Sequence, residues 1–491
     1  MVHIANTLDN SAYSPERLLA PVAPVPLLER APGRDAGTRR GPAIECWTGS
    51  GSPTWILSGD WRLFARPCTV IEDRRGDVVA SFRLADGTVL YATWDEETSR
   101  VSIPFSLGEA LANYLGERWR ETSPGKRLSE QQLNFFYRVK RFVPRRVQIA
   151  ARRVLVRWQH SPLFPAWPAD ESIARLLRLY AHCAMIASRR HVLHFRWFWP
   201  FGQRAALILT HDVETAEGLR LAVEVADLEE ELGFRSSFNV GSWYGLDDGI
   251  LRELRSRGFE IGSHGLQHDR SLFASRAAFE TQLPLLADAM DTIHAEGFRS
   301  PSTFRVFEWF AELPAAYDCS VPHSDPYEPQ PGGCCSFWPF FIGPLIELPY
   351  TLPQDHTLFT LLKHRAVDFW LQQAATIERN HGLIQCVTHP DPGYLGEQAN
   401  RMLYAEFLEG MATRPHLWRA LPRDVARWWR FRQEARDVGG PLATGVARTG
   451  ATPDEVVFEA PPAEPMLQEL TEDLARSLER VPRLTSPGRR Q

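Results

Sequence analysis

From Ala205 onward the chain alternates short apolar runs with helical stretches or loops, and this rhythm constrains the fold more than any other feature. Seven strand candidates begin near Ala205, Phe234, Gly258, Gly297, Tyr317, Ile346 and Leu383. Between the first two, Leu219, Ala222, Val223, Ala226 and Leu232 recur at helical spacing. Alternation of this kind predicts parallel strands with helices outside, in an open sheet or a closed barrel. No eighth strand candidate precedes the tail, which favours a seven-stranded form.

Upstream and downstream the pattern differs. Residues 1–45 are rich in Pro, Ala and Arg without periodicity and read as a flexible arm. Residues 46–200 read as an α+β region: the β-type runs 78–82 and 89–93 flank Asp86-Gly87, which predicts a hairpin. Residues 106–195 read as mainly helical, with Ser106 and Ser129 as N-caps and Pro162, Pro165 and Pro168 as interruptions. The alternating unit is expected over 201–437, and 438–491 as a flexible tail in which 468–478 marks one exposed helix.

The net charge of −5 leaves no electrostatic footprint for nucleic acid. The N-terminus carries no basic stretch followed by an apolar core, and the most apolar stretch, 337–352, is broken by Pro339, Pro344 and Pro349. Seven cysteines, an odd count without zinc-ribbon spacing, predict reduced thiols and a cytoplasmic protein. Arg138, Lys140, Arg141, Arg145, Arg146, Arg152, Arg153 and Arg157 form a basic stretch. It could contact a membrane surface or an anionic ligand, although a solvated helix face is the simpler reading. Trp197, Phe198, Trp199 and Pro200 lead into a core strand and read as packing rather than a sugar platform.

Chemistry concentrates where the candidate strands end. Ala206-Leu207-Ile208-Leu209 runs into Thr210-His211-Asp212-Val213-Glu214, and Phe259-Glu260-Ile261-Gly262 runs into Ser263-His264-Gly265-Leu266-Gln267-His268. The fourth strand ends in Arg299-Ser300-Pro301, and the seventh in Thr388-His389-Pro390-Asp391. Carboxylates at a strand tip cost desolvation energy unless something pairs with them. Two histidines four apart are expected on one face of a helical turn, the spacing that lets both imidazoles reach one metal. Taken singly, Asp212 could be a helix cap, His389 a core histidine and Arg299 a surface cation. Together and in order, at strand ends that face a common cleft in parallel α/β folds, they predict a site.

Residues from about 205 to 422 resemble the polysaccharide deacetylases, the fourth carbohydrate esterase family or NodB-homology domain. That family's first motif is Thr-Phe-Asp-Asp-Gly; here it stands as Thr210-His211-Asp212-Val213-Glu214, a variant of the Asp-Val-Glu type. The resemblance implies Asp212 as the base and Glu214 as a substitute metal carboxylate, since Val213 has no donor atom. It further implies His264 and His268 as metal ligands, Arg299 as the residue that orients the base, and His389 as the acid. Asp318 to Asp325 occupies the place of the fourth motif without the usual Asp-Trp, and the loop 326–341 is expected as a substrate wall or a buried structural loop.

The fold so implied is a distorted seven-stranded (β/α) barrel. The activity implied is N-deacetylation of an amino-sugar glycan, with a divalent metal: zinc first, with cobalt, manganese or nickel compatible with the donor set. Spacing alone implies only metal-assisted hydrolysis. Two alternatives stand beside the deacetylase: a hydrolase of a cyclic amide or ureide on the same fold, and an inactive carbohydrate-binding relative.

Overall fold

The computed structural model describes residues 13–32, 41–69, 76–122, 164–435 and 441–464, with isolated positions at 147, 150, 152–154, 156, 439, 472, 474 and 478. Ser129 and most of the basic stretch lie outside these residues.

The N-terminal region is built on a seven-stranded mixed sheet. Its strands are β1 (Leu27–Arg30), β2 (Ala43–Trp47), β3 (Thr54–Ser58), β4 (Trp61–Ala65), β5 (Asp77–Leu84), β6 (Val89–Asp95) and β7 (Arg100–Ile103), ordered β1-β2-β7-β6-β5-β3-β4. The Asp86-Gly87 hairpin joins β5 to β6: Gly87 takes φ +89, and the Thr88 N–H donates to the Asp86 carboxylate at 2.9 Å. Ser106 caps helix Leu107–Leu115 by accepting from the Glu109 N–H at 3.0 Å. Helix Ser172–Ala187 buries Ile173, Leu176, Leu177 and Tyr180.

Two expectations are corrected here. Within the arm's described residues, helix Pro15–Leu19 buries Leu18 and Leu19, and β1 and β2 complete the sheet. Its apolar positions are too few and too scattered among prolines to form a period, yet Leu18, Leu19 and Val25 find places in the core. The tail's described residues are ordered as well. Strand β8 (Val192–Arg196) pairs antiparallel with β18 (Thr444–Arg448), which pairs with β19 (Val457–Glu459). Leu474 and Leu478, placed by sequence on an exposed helix, are buried.

All seven strands expected downstream are present and mutually parallel. They are β9 (Ala205–Val213), β10 (Ser237–Val240), β11 (Glu260–Ser263), β12 (Gly297–Phe298), β13 (Tyr317–Asp318), β15 (Leu345–Glu347) and β16 (Leu383–Thr388). The order is β15-β13-β12-β11-β10-β9-β16, with β14 (Phe340–Ile342) antiparallel on the β15 edge and β17 (Leu417–Arg419) parallel to the start of β9. β14 and β17, three residues each, are additional to the seven expected strands. Every residue of β9 is buried, as befits a central strand covered on both faces. The segment after β15 bonds back to β13 (Leu348 N–H to Asp318 O, 2.8 Å) and forward to β16 (Leu352 N–H to Gln385 O, 3.1 Å). The sheet therefore curls until its outer parallel strands are linked through residues 348–352. Among the described residues no helix is long and apolar enough to cross a membrane.

Candidate active site

The C-terminal ends of β9, β10, β11, β12 and β16 deliver the site. Asp212 is buried at the tip of β9, where Asn239 of β10, its ladder neighbour, donates to Oδ1 at 2.9 Å. Gly262 on β11 makes room for this contact, since a Cβ there would lie 2.2 Å from the Asn239 Oδ1. The fully buried Arg299 places Nε 3.9 Å from Asp212 Oδ1. Burial alone would raise the Asp212 carboxyl, but Arg299, His264, His389 and the Asn239 bond outweigh it and hold the group below its ordinary range. Asp212 is thus ionised, as a proton acceptor must be. Arg299 is held in turn by Thr210 Oγ1 (3.1 Å) and by the Gln385 side-chain oxygen (2.7 Å), and its guanidinium lies 5.7 Å from the Tyr350 ring centre.

Glu214, two residues on, turns the same way as Asp212. Its Oε1 lies 3.0 Å from His268 Nε2 and 4.0 Å from His389 Nε2. Asp391 anchors this turn by accepting from the Glu214 N–H at 2.9 Å, and Trp243 donates to the Glu214 carbonyl at 2.9 Å.

His264 and His268 come together, but not on a helical turn. The segment is a bend in which Gly265 takes φ +92 and packs against Pro301, where even a Cβ would lie only 3.3 Å from the proline ring. The imidazole centres are 5.6 Å apart, and the Trp243 ring flanks both, at 5.6 Å and 5.3 Å. His264 Nδ1 faces the Arg299 carbonyl at 3.0 Å; a carbonyl only accepts, so Nδ1 carries the proton and Nε2 keeps its lone pair. Burial pushes His264 down to about 4, which keeps it neutral and fit for a metal.

His389 has the opposite character. Asp355 accepts from its Nδ1 at 2.7 Å and from its backbone N–H at 2.9 Å. Burial opposes the charge on His389, but Asp355 dominates, with Glu214 and Asp212 adding to it, and the imidazole is pushed up to about 10. His389 is a cation at neutral pH.

Among the described residues no three His, Cys, Asp or Glu side chains stand as a ready metal cage. The donor set fits a divalent ion by its chemistry: a neutral imidazole with a free Nε2, and a carboxylate already facing a second imidazole.

Sequence reasoning missed Asp355, Asn239 and Asp391 as partners. Asn239 had a signal, a polar residue inside the apolar run Phe238-Asn239-Val240. The loop 326–341, expected as a substrate wall or a buried structural loop, is largely buried: Phe337 and Trp338 are core residues, and Tyr327 meets Trp167 edge-on at 5.2 Å. Of the basic stretch, Arg152 donates to the Tyr327 carbonyl, on a loop, and Arg153 to the Thr360 carbonyl at 2.8 Å, in the helical turn His356–Leu361. Trp197 and Trp199 are core residues that donate to the Gln203 and His381 carbonyls.

Fold and site together define a mixed α/β chain with an anionic Asp212, a cationic His389 and a histidine–carboxylate cluster at the C-terminal ends of parallel strands. No family model matches the chain, and no curated protein matches it. Similar solved structures include one described as a polysaccharide deacetylase from Mycobacterium smegmatis (17% identity, 48% of this chain and 94% of that one, TM-score 0.41). Puue allantoinase follows (16% identity, 47% and 92%, TM-score 0.38). Peptidoglycan deacetylase PdaC from Bacillus subtilis is also similar (10% identity, 46% and 91%, TM-score 0.30).

Proposed function

We propose that this chain is a metal-dependent hydrolase that removes an N-acyl group, in the first place acetyl, from an amino-sugar-containing glycan or glycan precursor. The observation that carries the reading is a pair of opposites at one cleft: the anionic Asp212 held by Arg299, and the cationic His389 held by Asp355. We propose the scaffold as a distorted seven-stranded barrel and the compartment as the cytoplasm, reading the odd count of seven cysteines without zinc-ribbon spacing as reduced thiols.

In this reading Glu214, His264 and His268 hold the metal. A divalent ion bound there, zinc first by donor type, supplies Lewis-acid polarisation and a more acidic water. Asp212 accepts the proton of the attacking water, and Arg299 and Asn239 keep its carboxylate ionised and aimed. His389 donates from Nε2 to the leaving amine nitrogen, while Asp355 fixes the ring through Nδ1. The half-buried Trp243 beside the open His268 offers an apolar face to a sugar ring.

The test is acetate release from N-acetylglucosamine oligomers by the full chain, with ammonia or ring-opened product from a cyclic ureide as the competing outcome. Elemental analysis of the double variant His264→Ala, His268→Ala is expected to find no stoichiometric divalent ion. One tightly held ion per chain in that variant sinks the metal assignment.

A further inference from the structure

Beneath Arg299, inside the curled sheet, lies a buried carboxyl pair that the chemistry above does not use. Asp318 on β13 and Glu347 on β15 are direct ladder partners, and both are fully buried. Asp318 is well supplied with donors: Ser320 Oγ–H to Oδ1 and Ser320 N–H to Oδ2, both at 2.8 Å. Glu347 Oε1 accepts from the Val321 N–H at 3.0 Å, whereas Oε2 is buried with no donor facing it. The two carboxyls therefore sit side by side in the dry interior, and a buried Oε2 without a donor is satisfied when it carries a proton itself.

Electrostatics agree. Burial, then the adjacent Asp318, push Glu347 well above its ordinary range. Of the other titratable groups around the pair, the Cys319 and Cys334 thiols and the Tyr350 phenol are raised by burial and neutral, which leaves Arg299 as the cation the pair faces. Arg299 needs an anion on this side. Its Nε and Nη1 have no hydrogen-bond acceptor, and Asp212 stands 3.9 Å away. A mechanical link runs in parallel: Ser320, fixed by Asp318, accepts from the Ser300 N–H at 2.7 Å, one residue beyond Arg299.

We propose that Asp318 and Glu347 form a carboxylic acid–carboxylate dyad, with one proton on Glu347, that positions Arg299 toward Asp212. The positioning role rests on the hydrolase reading; the shared proton does not. With one proton the dyad carries a single negative charge, enough to hold the guanidinium without drawing it away from Asp212. Glu347→Gln keeps that charge and the hydrogen bond, because the amide donates where the acid did. Asp318→Asn removes an acceptor from Ser320, and Glu347→Leu removes the hydrogen bond.

The experiment uses the zinc-loaded full chain. Infrared difference spectra of wild type minus Glu347→Gln at neutral pH are expected to show one protonated-carboxyl band. Acetate release from N-acetylglucosamine oligomers should stay within about twofold for Glu347→Gln, and kcat should fall about tenfold or more, with KM kept, for Glu347→Leu and Asp318→Asn. Should Glu347→Leu not fold, the isosteric Gln and Asn variants still decide the asymmetry. Absence of the band overturns the dyad, and Glu347→Gln as damaging as Asp318→Asn overturns its polarity. A wild-type chain that releases no acetate removes the hydrolase reading and the positioning role together, while the band still decides the shared proton.

Discussion

Replacing Asp355 by Asn tests whether His389 is the acid. Asp355 Oδ1 accepts from His389 Nδ1 and from the His356 N–H, both at 2.7 Å, and Oδ2 accepts from the His389 N–H at 2.9 Å. An asparagine oxygen can keep the first two, but its NH2 group then meets the His389 N–H, donor against donor. That buried donor left unpaired costs about 1–3 kcal/mol at any pH. The larger effect is on charge. Lifting the imidazole from 6.5 to about 10 corresponds to roughly 5 kcal/mol favouring its cation, and Asp355 is the main favourable cause. Without that carboxylate, burial is expected to bring His389 to 6.5 or below, so that at pH 7.5 only about a tenth of the molecules carry the proton. Turnover should fall about tenfold at that pH, with the optimum displaced toward acid. Stability follows the same sign. A folded-state value raised above the unfolded one contributes fully below about 6.5 and is lost as pH rises through about 10. The stability gap between wild type and variant is therefore widest near pH 6 and narrows above pH 9. Imidazole NMR titration and thermal unfolding across this range measure both effects. An imidazole still titrating near 10 in the variant, or a gap that widens with pH, refutes the reasoning.

Asp212→Asn should leave the metal bound and lower turnover about a hundredfold or more, whereas Glu214→Ala should weaken metal affinity. Metal titration of both variants checks this division, and an Asp212→Asn chain that loses its metal while Glu214→Ala stays active reverses it. Glu117, from the N-terminal region, pairs with the buried Arg305 through Oε1 (Nε at 3.2 Å, and Nη2) and with Arg120 through Oε2 at 2.8 Å. Glu117→Ala leaves Arg305 buried without that partner and should cost about 3–5 kcal/mol in urea unfolding, with a loss under about 1 kcal/mol counting against it.

How much of this was legible follows from what each residue does locally. The parallel strands were legible because strands covered on both faces must be apolar throughout, and Ala206-Leu207-Ile208-Leu209 has no other use for such a run. The ionisable tips stood out for the converse reason: Asp212, His264, Arg299 and His389 interrupt or end apolar runs where packing does not call for them. The histidine pair was found through a spacing argument whose local geometry was wrong. Gly265 at φ +92 takes the backbone out of the helical region, and the rings meet across a bend instead. The arm and the tail were misread because Leu18, Leu19 and the strand Thr444–Arg448 draw their order from distant partners, which no local period records. Asp355 escaped notice for a subtler reason. It follows Pro353-Gln354 and opens the helical turn His356–Leu361, whose first N–H it accepts, so its sequence signature is that of an ordinary cap. The same carboxylate holds His389, 34 positions along the chain. A capping role fully accounts for an Asp at that position, and a residue whose local duty explains it gives a reader of sequence no reason to look for a second one; only the fold, by bringing β16 beside the cap, turns that carboxylate into the partner of His389.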